Sequence, residues 1–123
     1  MTPFGDRMRK LRAERGVTLK EMADAIGVSS AYLSALEHGK RGRPGWHLIQ
    51  RILTFFNIIW DEAEEVVRLA RISHPRITID TSGLNPRATE LANRLADEIG
   101  KLDPAMLDEL LGVLERKRPK ARG

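Results

Sequence analysis

Residues 18–39, TLKEMADAIGVSSAYLSALEHG, leave the backbone the least freedom in this chain. Thr18 and Glu21 have the Thr-x-x-Glu spacing of a capping box. In that arrangement the hydroxyl accepts from an orphan backbone N–H while the carboxylate reaches back to the cap. Met22, Ala23 and Ile26 form the apolar side of the helix so begun, and Gly27 stops it. Ser29 then provides a second N-cap. Leu33 and Leu36, with part of Tyr32, make the inner face of another short helix, which Gly39 ends. The segment therefore predicts two short helices joined by a tight turn at Gly27-Val28. Ala23, Gly27, Val28, Leu33 and Leu36 supply the small and apolar residues that lock such a pair.

Three further helices surround this pair. The first is predicted over Phe4 to Arg15, where Phe4, Met8 and Leu11 recur at helical spacing before Gly16. A basic loop, GKRGRPG, begins at Gly39, and Pro44 is expected in the first turn of a fourth helix. Leu48, Ile49, Ile52, Leu53 and Phe56 give that helix a wide apolar face. Asp61 is expected to cap a fifth, with Ala63, Val66, Val67 and Ala70 turned inward. From Pro75 to Leu84 the chain reads as a linker. The alternation Ile77, Thr78, Ile79, Asp80 leaves open a short strand that pairs with its mate across a dimer.

Asn85-Pro86 and Asp103-Pro104 each place an N-cap before a proline, the punctuation of a helix start. Leu91, Leu95 and Ile99 line one face of the first helix, and Leu107, Leu110, Leu111 and Leu114 one face of the second. Two helices cannot enclose both faces. These must be buried on the preceding domain, on a second copy of the chain or on another protein. The final residues, 118–123, continue a basic tail expected to lack fixed structure.

Composition narrows the function classes. The chain of 123 residues has no cysteine, which excludes a disulfide framework, a thiol nucleophile and a cysteine-containing zinc site. No apolar run is long enough to span a bilayer and the N-terminus lacks a signal-peptide core, so a cytoplasmic protein without a membrane partner is expected. The net charge is +4. Its basic residues gather at Arg7, Arg9, Lys10, Arg12 and Arg15, at Lys40, Arg41 and Arg43, and in the tail. That places the positive field on the first domain and marks the C-terminal helices as an assembly module. His38, His47 and His74 have no metal-ligand spacing, and the glycine-rich loop lacks the order of a phosphate-binding loop. No catalytic residue, metal or cofactor is expected. Trp46 and Trp60 are expected in core or domain-junction packing.

The Gly-x-Thr before the second helix, Ala23, the Gly27-Val28-Ser29 turn, Tyr32-Leu33-Ser34, Leu36-Glu37-x-Gly39 and the basic loop ending at Pro44 together resemble the phage repressor/Cro-like (XRE-type) helix-turn-helix family. The resemblance covers Phe4 to about Ser73. It implies a five-helix repressor-like domain, here 1–74; with the linker or short strand over 75–84 and the helical dimerisation or partner module over 85–117 read from the residues themselves, the expected fold is all-α. It also implies that Ser30, Ala31, Ser34 and Ala35 face the major groove of double-stranded DNA, and Ser29 and Tyr32 complete the expected DNA-binding set on this helix. Lys40, Arg41 and Arg43 would meet phosphates or approach the minor groove. Arg12 and Glu37 match a pair that joins the first helix to the recognition helix, here read as structural.

One position departs from the family. Where many members carry a phosphate-contacting Gln after the helix-starting Thr, this chain has Leu19, and Lys20 stands next to it as a substitute cation. The groove face is also poor in reading groups. Two-point bonding to a base edge needs Arg, Lys, Asn or Gln, and residues 29–37 hold none. Tyr32 is open between a DNA contact and half-buried packing. Specificity is therefore expected from methyl contacts, DNA shape and half-site spacing. The expectation is a homodimeric transcriptional repressor on an inverted repeat. An antitoxin whose C-terminal helices hold a toxin, and a protein-interaction adaptor that has lost DNA readout, are the alternatives.

Overall fold

The computed structural model describes residues 1–117, leaving the tail expectation for 118–123 outside the described residues. Every regular element among them is helical. The chain divides into two compact units, Met1–Ile77 and Thr78–Gly123.

The first unit contains α1 (Pro3–Arg15), α2 (Leu19–Ile26), α3 (Ser30–Glu37), α4 (Trp46–Phe56) and α5 (Trp60–Arg71). Its core is aliphatic apart from Phe4 and Phe56. Met8 and Leu11 of α1 share one buried cluster with Met22, Ala23 and Ile26 of α2, Leu33 and Leu36 of α3, Ile52 of α4 and Val66 and Ala70 of α5. A fully buried side chain of this size contributes about 1.5–3 kcal/mol. The short α2 and α3 therefore hold their shape through this packing, not through intrinsic helix stability.

Local chemistry sets the boundaries. Thr18 and Glu21 form the full capping box: Glu21 N–H donates to Thr18 Oγ1 at 3.0 Å, and Thr18 N–H donates to Glu21 Oε1 at 2.8 Å. Ser29 caps α3 by accepting from Tyr32 N–H at 3.0 Å. Helix α1 begins one residue earlier than its hydrophobic spacing indicates. Thr2 is its N-cap and Pro3 its first residue, the same cap-then-proline order as at the two prolines further along.

Three expectations are corrected. Pro44 is buried but precedes α4, whose cap is Gly45. Asp61 sits in the first turn of α5 beside Glu62, and Ile59 occupies the cap position. There the two carboxylates act on the positive helix end without bonding it as a cap. Trp46 and Trp60 are surface residues of the first unit, 61% and 81% exposed, so neither belongs to its core. Trp60 also has a φ of 55°, a left-handed backbone that bulky side chains rarely adopt.

The second unit contains α6 (Pro86–Glu98), a 3₁₀ turn η1 (Ile99–Lys101) and α7 (Pro104–Lys117). Asn85 caps α6 by accepting from Arg87 N–H at 2.8 Å, and Asp103 accepts from Met106 N–H at 2.9 Å. Residues 77–80 form no strand within this chain. No side chain described in 78–116 is buried. Leu91, Ile99, Leu110, Leu111 and Leu114 are exposed, while Leu95 and Leu107 are half-buried. A shallow groove of about 430 Å³ is lined by Leu91, Leu95, Leu102 and Leu110, with Arg87, Glu90, Arg94 and Glu98 along it.

Candidate nucleic-acid interface

The orientation of α3 is set from α1. Arg12 grips the Glu37 carboxylate with both terminal nitrogens, Nη2 at 3.1 Å from Oε1 and Nη1 on Oε2. The Glu37 side chain is 2% exposed, which makes it a buried charge answered by a fork of two charge-assisted bonds. Its backbone is held as well. Thr2 N–H donates to the Glu37 carbonyl at 3.0 Å, and Thr2 Oγ1 donates to the same oxygen at 3.3 Å. Gly5 lies against this carbonyl with no room for a side chain, since a Cβ there would sit 2.1 Å from the oxygen. The C-terminus of α3 is thus pinned by Thr2, Gly5 and Arg12 together.

The rest of the frame is fixed by similar contacts. Ser73 Oγ accepts from Phe4 N–H at 2.8 Å and so ties the end of α5 to the start of α1. Arg51 of α4 donates to the Ile26 carbonyl at 2.9 Å, satisfying the C-terminal end of α2 just before the turn. Arg15 donates to the Phe56 carbonyl and lies over the Phe56 ring at 5.7 Å.

These contacts revise the charge map. Most cations of α1 are spent internally: Arg7 pairs with Glu62 at 3.2 Å, Lys10 with Asp6 at 3.2 Å, and Arg12 with Glu37. Lys20 pairs with Asp24 at 3.0 Å along α2, both side chains being exposed. Lys40, Arg41 and Arg43 are all exposed, and none of them is in an ion pair among the described residues. The loop, more than α1, carries the available positive charge.

On α3 itself Ala31 and the Ser29 cap are exposed, while Ser30, Tyr32, Ser34 and Ala35 are half-buried. The outward face is therefore low and small. Gly39 and Gly42, at φ 78° and 77°, let the chain turn back after α3. Lys40 N–H donates to the Ala35 carbonyl at 2.8 Å at the root of this loop. The Arg41 guanidinium lies over the Tyr32 ring, 5.7 Å from its centroid. Sequence reasoning missed Thr2, Gly5, Arg51 and Ser73. Only Thr2 left a signal, the cap-proline pair that was recognised elsewhere in the chain. Among the described residues no group of three or more His, Asp or Glu could hold a metal ion, and no helix is long and apolar enough to cross a membrane.

A family model described as a helix-turn-helix domain matches residues 3–58. The regulator DdrOP3 of Deinococcus deserti, named an HTH-type transcriptional regulator, is 32% identical over 118 residues, covering 94% of this chain and 84% of that protein. The chain belongs to the XRE-type helix-turn-helix transcriptional regulators. Two Bacillus subtilis proteins match about half of the chain. The HTH-type transcriptional repressor RghR is 38% identical over 61 residues, and RghRB, an uncharacterized HTH-type transcriptional regulator, is 36% identical over 61. Each alignment takes in half of this chain, and the chain spans only 45% and 44% of their respective lengths. The matched residues include both α2 and α3.

Proposed function

We propose that this protein is a cytoplasmic, homodimeric repressor that binds an inverted repeat in double-stranded DNA. The observation that carries the reading is the braced α3. A small-residue helix face stands beside three exposed loop cations, and its orientation is fixed by a buried ion pair and two further contacts from α1. Rigid presentation of this kind suits a helix that must enter a groove of fixed width. Ser30, Ala31, Ser34 and Ala35 allow deep entry and offer methyl contacts, while Lys40, Arg41 and Arg43 supply phosphate contacts. Ser29 and Tyr32 stand at the same edge of the helix, and Lys20 adds a cation on α2.

The name of RghR supports repression as the sign of control. The faces carrying Leu91, Leu95, Ile99, Leu107, Leu110, Leu111 and Leu114 support dimerisation, because no residue described in the second unit is buried within it. A two-fold dimer places recognition helices in half-sites about 34 Å apart, or a multiple of that.

Fluorescence anisotropy with duplexes tiling the DNA upstream of the gene, against a scrambled duplex at two salt concentrations, tests the reading. One tile should bind at about 10⁻⁸ M or tighter and well above the scramble. Equal, salt-steep binding to every tile would mean gripping without reading, and absence of binding at either salt would defeat the proposal in favour of a protein-interaction adaptor.

A further inference from the structure

Helix α3 lacks any side chain able to bond a base edge at two points, yet one such side chain is brought to it from the loop. Arg41 folds back so that its guanidinium lies 5.7 Å from the centroid of the Tyr32 ring, over the ring face. Tyr32 is the third residue of α3, in the turn that begins the helix. Its backbone is held by Ser29, and its ring is half-buried against the core cluster, so the platform is fixed from behind. Arg41 itself is exposed and stands between two left-handed glycines, Gly39 and Gly42. A long side chain on such a loop would sample many rotamers. The ring is the contact that selects one.

A cation–π contact acts through the charge over the ring face and needs no hydrogen bond from the guanidinium N–H donors to oxygen. The contact therefore leaves Arg41 donors for two-point bonding to another partner. It removes part of the entropy that ordering the side chain on DNA would otherwise cost.

We propose that Tyr32 is a positioning residue: its ring holds Arg41 against the first turn of α3, so that Arg41 makes the two-point DNA contact that α3 cannot make itself. The inference rests on the DNA-binding reading above. The acceptor is a coplanar pair, either two phosphate oxygens or O6 and N7 of a guanine. Lys40 and Arg43, which have no such ring partner among the described residues, remain diffuse phosphate contacts.

Two measurements on the full chain test this. In NMR spectra of the free protein, the Arg41 δ-methylene protons should be shifted upfield by the Tyr32 ring. The shift should persist in Tyr32→Phe and vanish in Tyr32→Leu; an unshifted Arg41 in the wild type overturns the proposal without any reference to DNA. In anisotropy titrations on the bound tile, Tyr32→Leu should weaken binding by about 2- to 5-fold, the size of an exposed cation–π contact. Tyr32→Phe should match the wild type, and Tyr32→Leu/Arg41→Ala should bind no more weakly than Arg41→Ala alone. Additive losses, or a Phe variant as weak as the Leu variant, overturn the positioning role while leaving DNA binding intact. A phosphate acceptor is reported by an equal loss on every duplex, with the salt slope lower by about 0.9. A guanine acceptor is reported by relaxed preference at one base pair. A wild type that shows the ring shift but binds no duplex removes the DNA reading and this proposal with it.

Discussion

Gly5 and Glu37 approach so closely that a Cβ on Gly5 would lie 2.1 Å from the Glu37 carbonyl oxygen. The obstacle is backbone, which cannot swing aside as a side chain can. Substituting Gly5→Ala must therefore push α1 away from the end of α3. Overpacking of this kind costs about 3 kcal/mol or more. A melting temperature at least about 12 °C lower is expected in thermal denaturation. A Gly5→Ala protein as stable as the wild type would mean that the two helices do not touch here.

The Arg12–Glu37 pair gives a second prediction, with a sign that depends on how it is broken. Glu37 is buried, so Arg12→Met leaves a carboxylate without its partner and should cost about 3–5 kcal/mol. Glu37→Met leaves the guanidinium, itself only 11% exposed, in the same position. The double variant Arg12→Met/Glu37→Met should be more stable than either single one, because an apolar pair needs no compensating charge. Urea denaturation of the four proteins measures the cycle. If the two losses simply add, the pair is not coupled and does not set the orientation of α3.

How much of this frame could be read from the sequence depends on whether a feature was local. Thr18–Glu21 and Ser29 act within one helical turn, and residue type with spacing was enough to place them. The apolar face of α4 was legible for the same reason. Gly5 was not, because its requirement is set by a carbonyl 32 positions further along. Arg51 and Ser73 likewise bond partners on other elements, and nothing in their own neighbourhoods announces it. Trp46 and Trp60 misled as core candidates because aromatic residues are usually buried. Here they occupy the first positions of two helices, where the side chain is carried outward from the core. Three of the α1 cations, Arg7, Lys10 and Arg12, were counted as field and are also pairing partners. What the fold brings together at the candidate interface, the Tyr32 ring and the Arg41 guanidinium, is nine positions apart across a turn that sequence spacing does not fix.

Acid stability offers a third prediction. Hydrogen bonds from the Thr18 backbone N–H, and then from its side chain, hold the Glu21 carboxyl below its ordinary value of 4.5. A group with a depressed folded-state pKa contributes stability above the unfolded value and loses it as pH falls through the folded one. The stability gap between the wild type and Glu21→Gln should thus be constant at neutral pH and narrow as pH falls from about 4.5 downward. Denaturant midpoints across an acid series measure this. A gap that widens on acidification would contradict the capping box.

The last prediction concerns assembly. Leu110 lines the groove of the second unit with Leu91, Leu95 and Leu102, and it is 41% exposed there. If a second copy covers this surface, Leu110→Asp places a charge in a dry interface and should split the dimer. Sedimentation equilibrium should then report a monomer while circular dichroism still reports the helices of the first unit, whose core does not involve this residue. On a duplex carrying both half-sites the affinity should fall by about 100-fold or more, because the second recognition helix no longer benefits from effective concentration. On a duplex carrying one half-site, wild type and variant should differ little. That contrast separates a lost dimer from a damaged DNA-binding domain. A monomeric Leu110→Asp protein that still holds the full site as tightly as the wild type would rule out dimer-dependent binding.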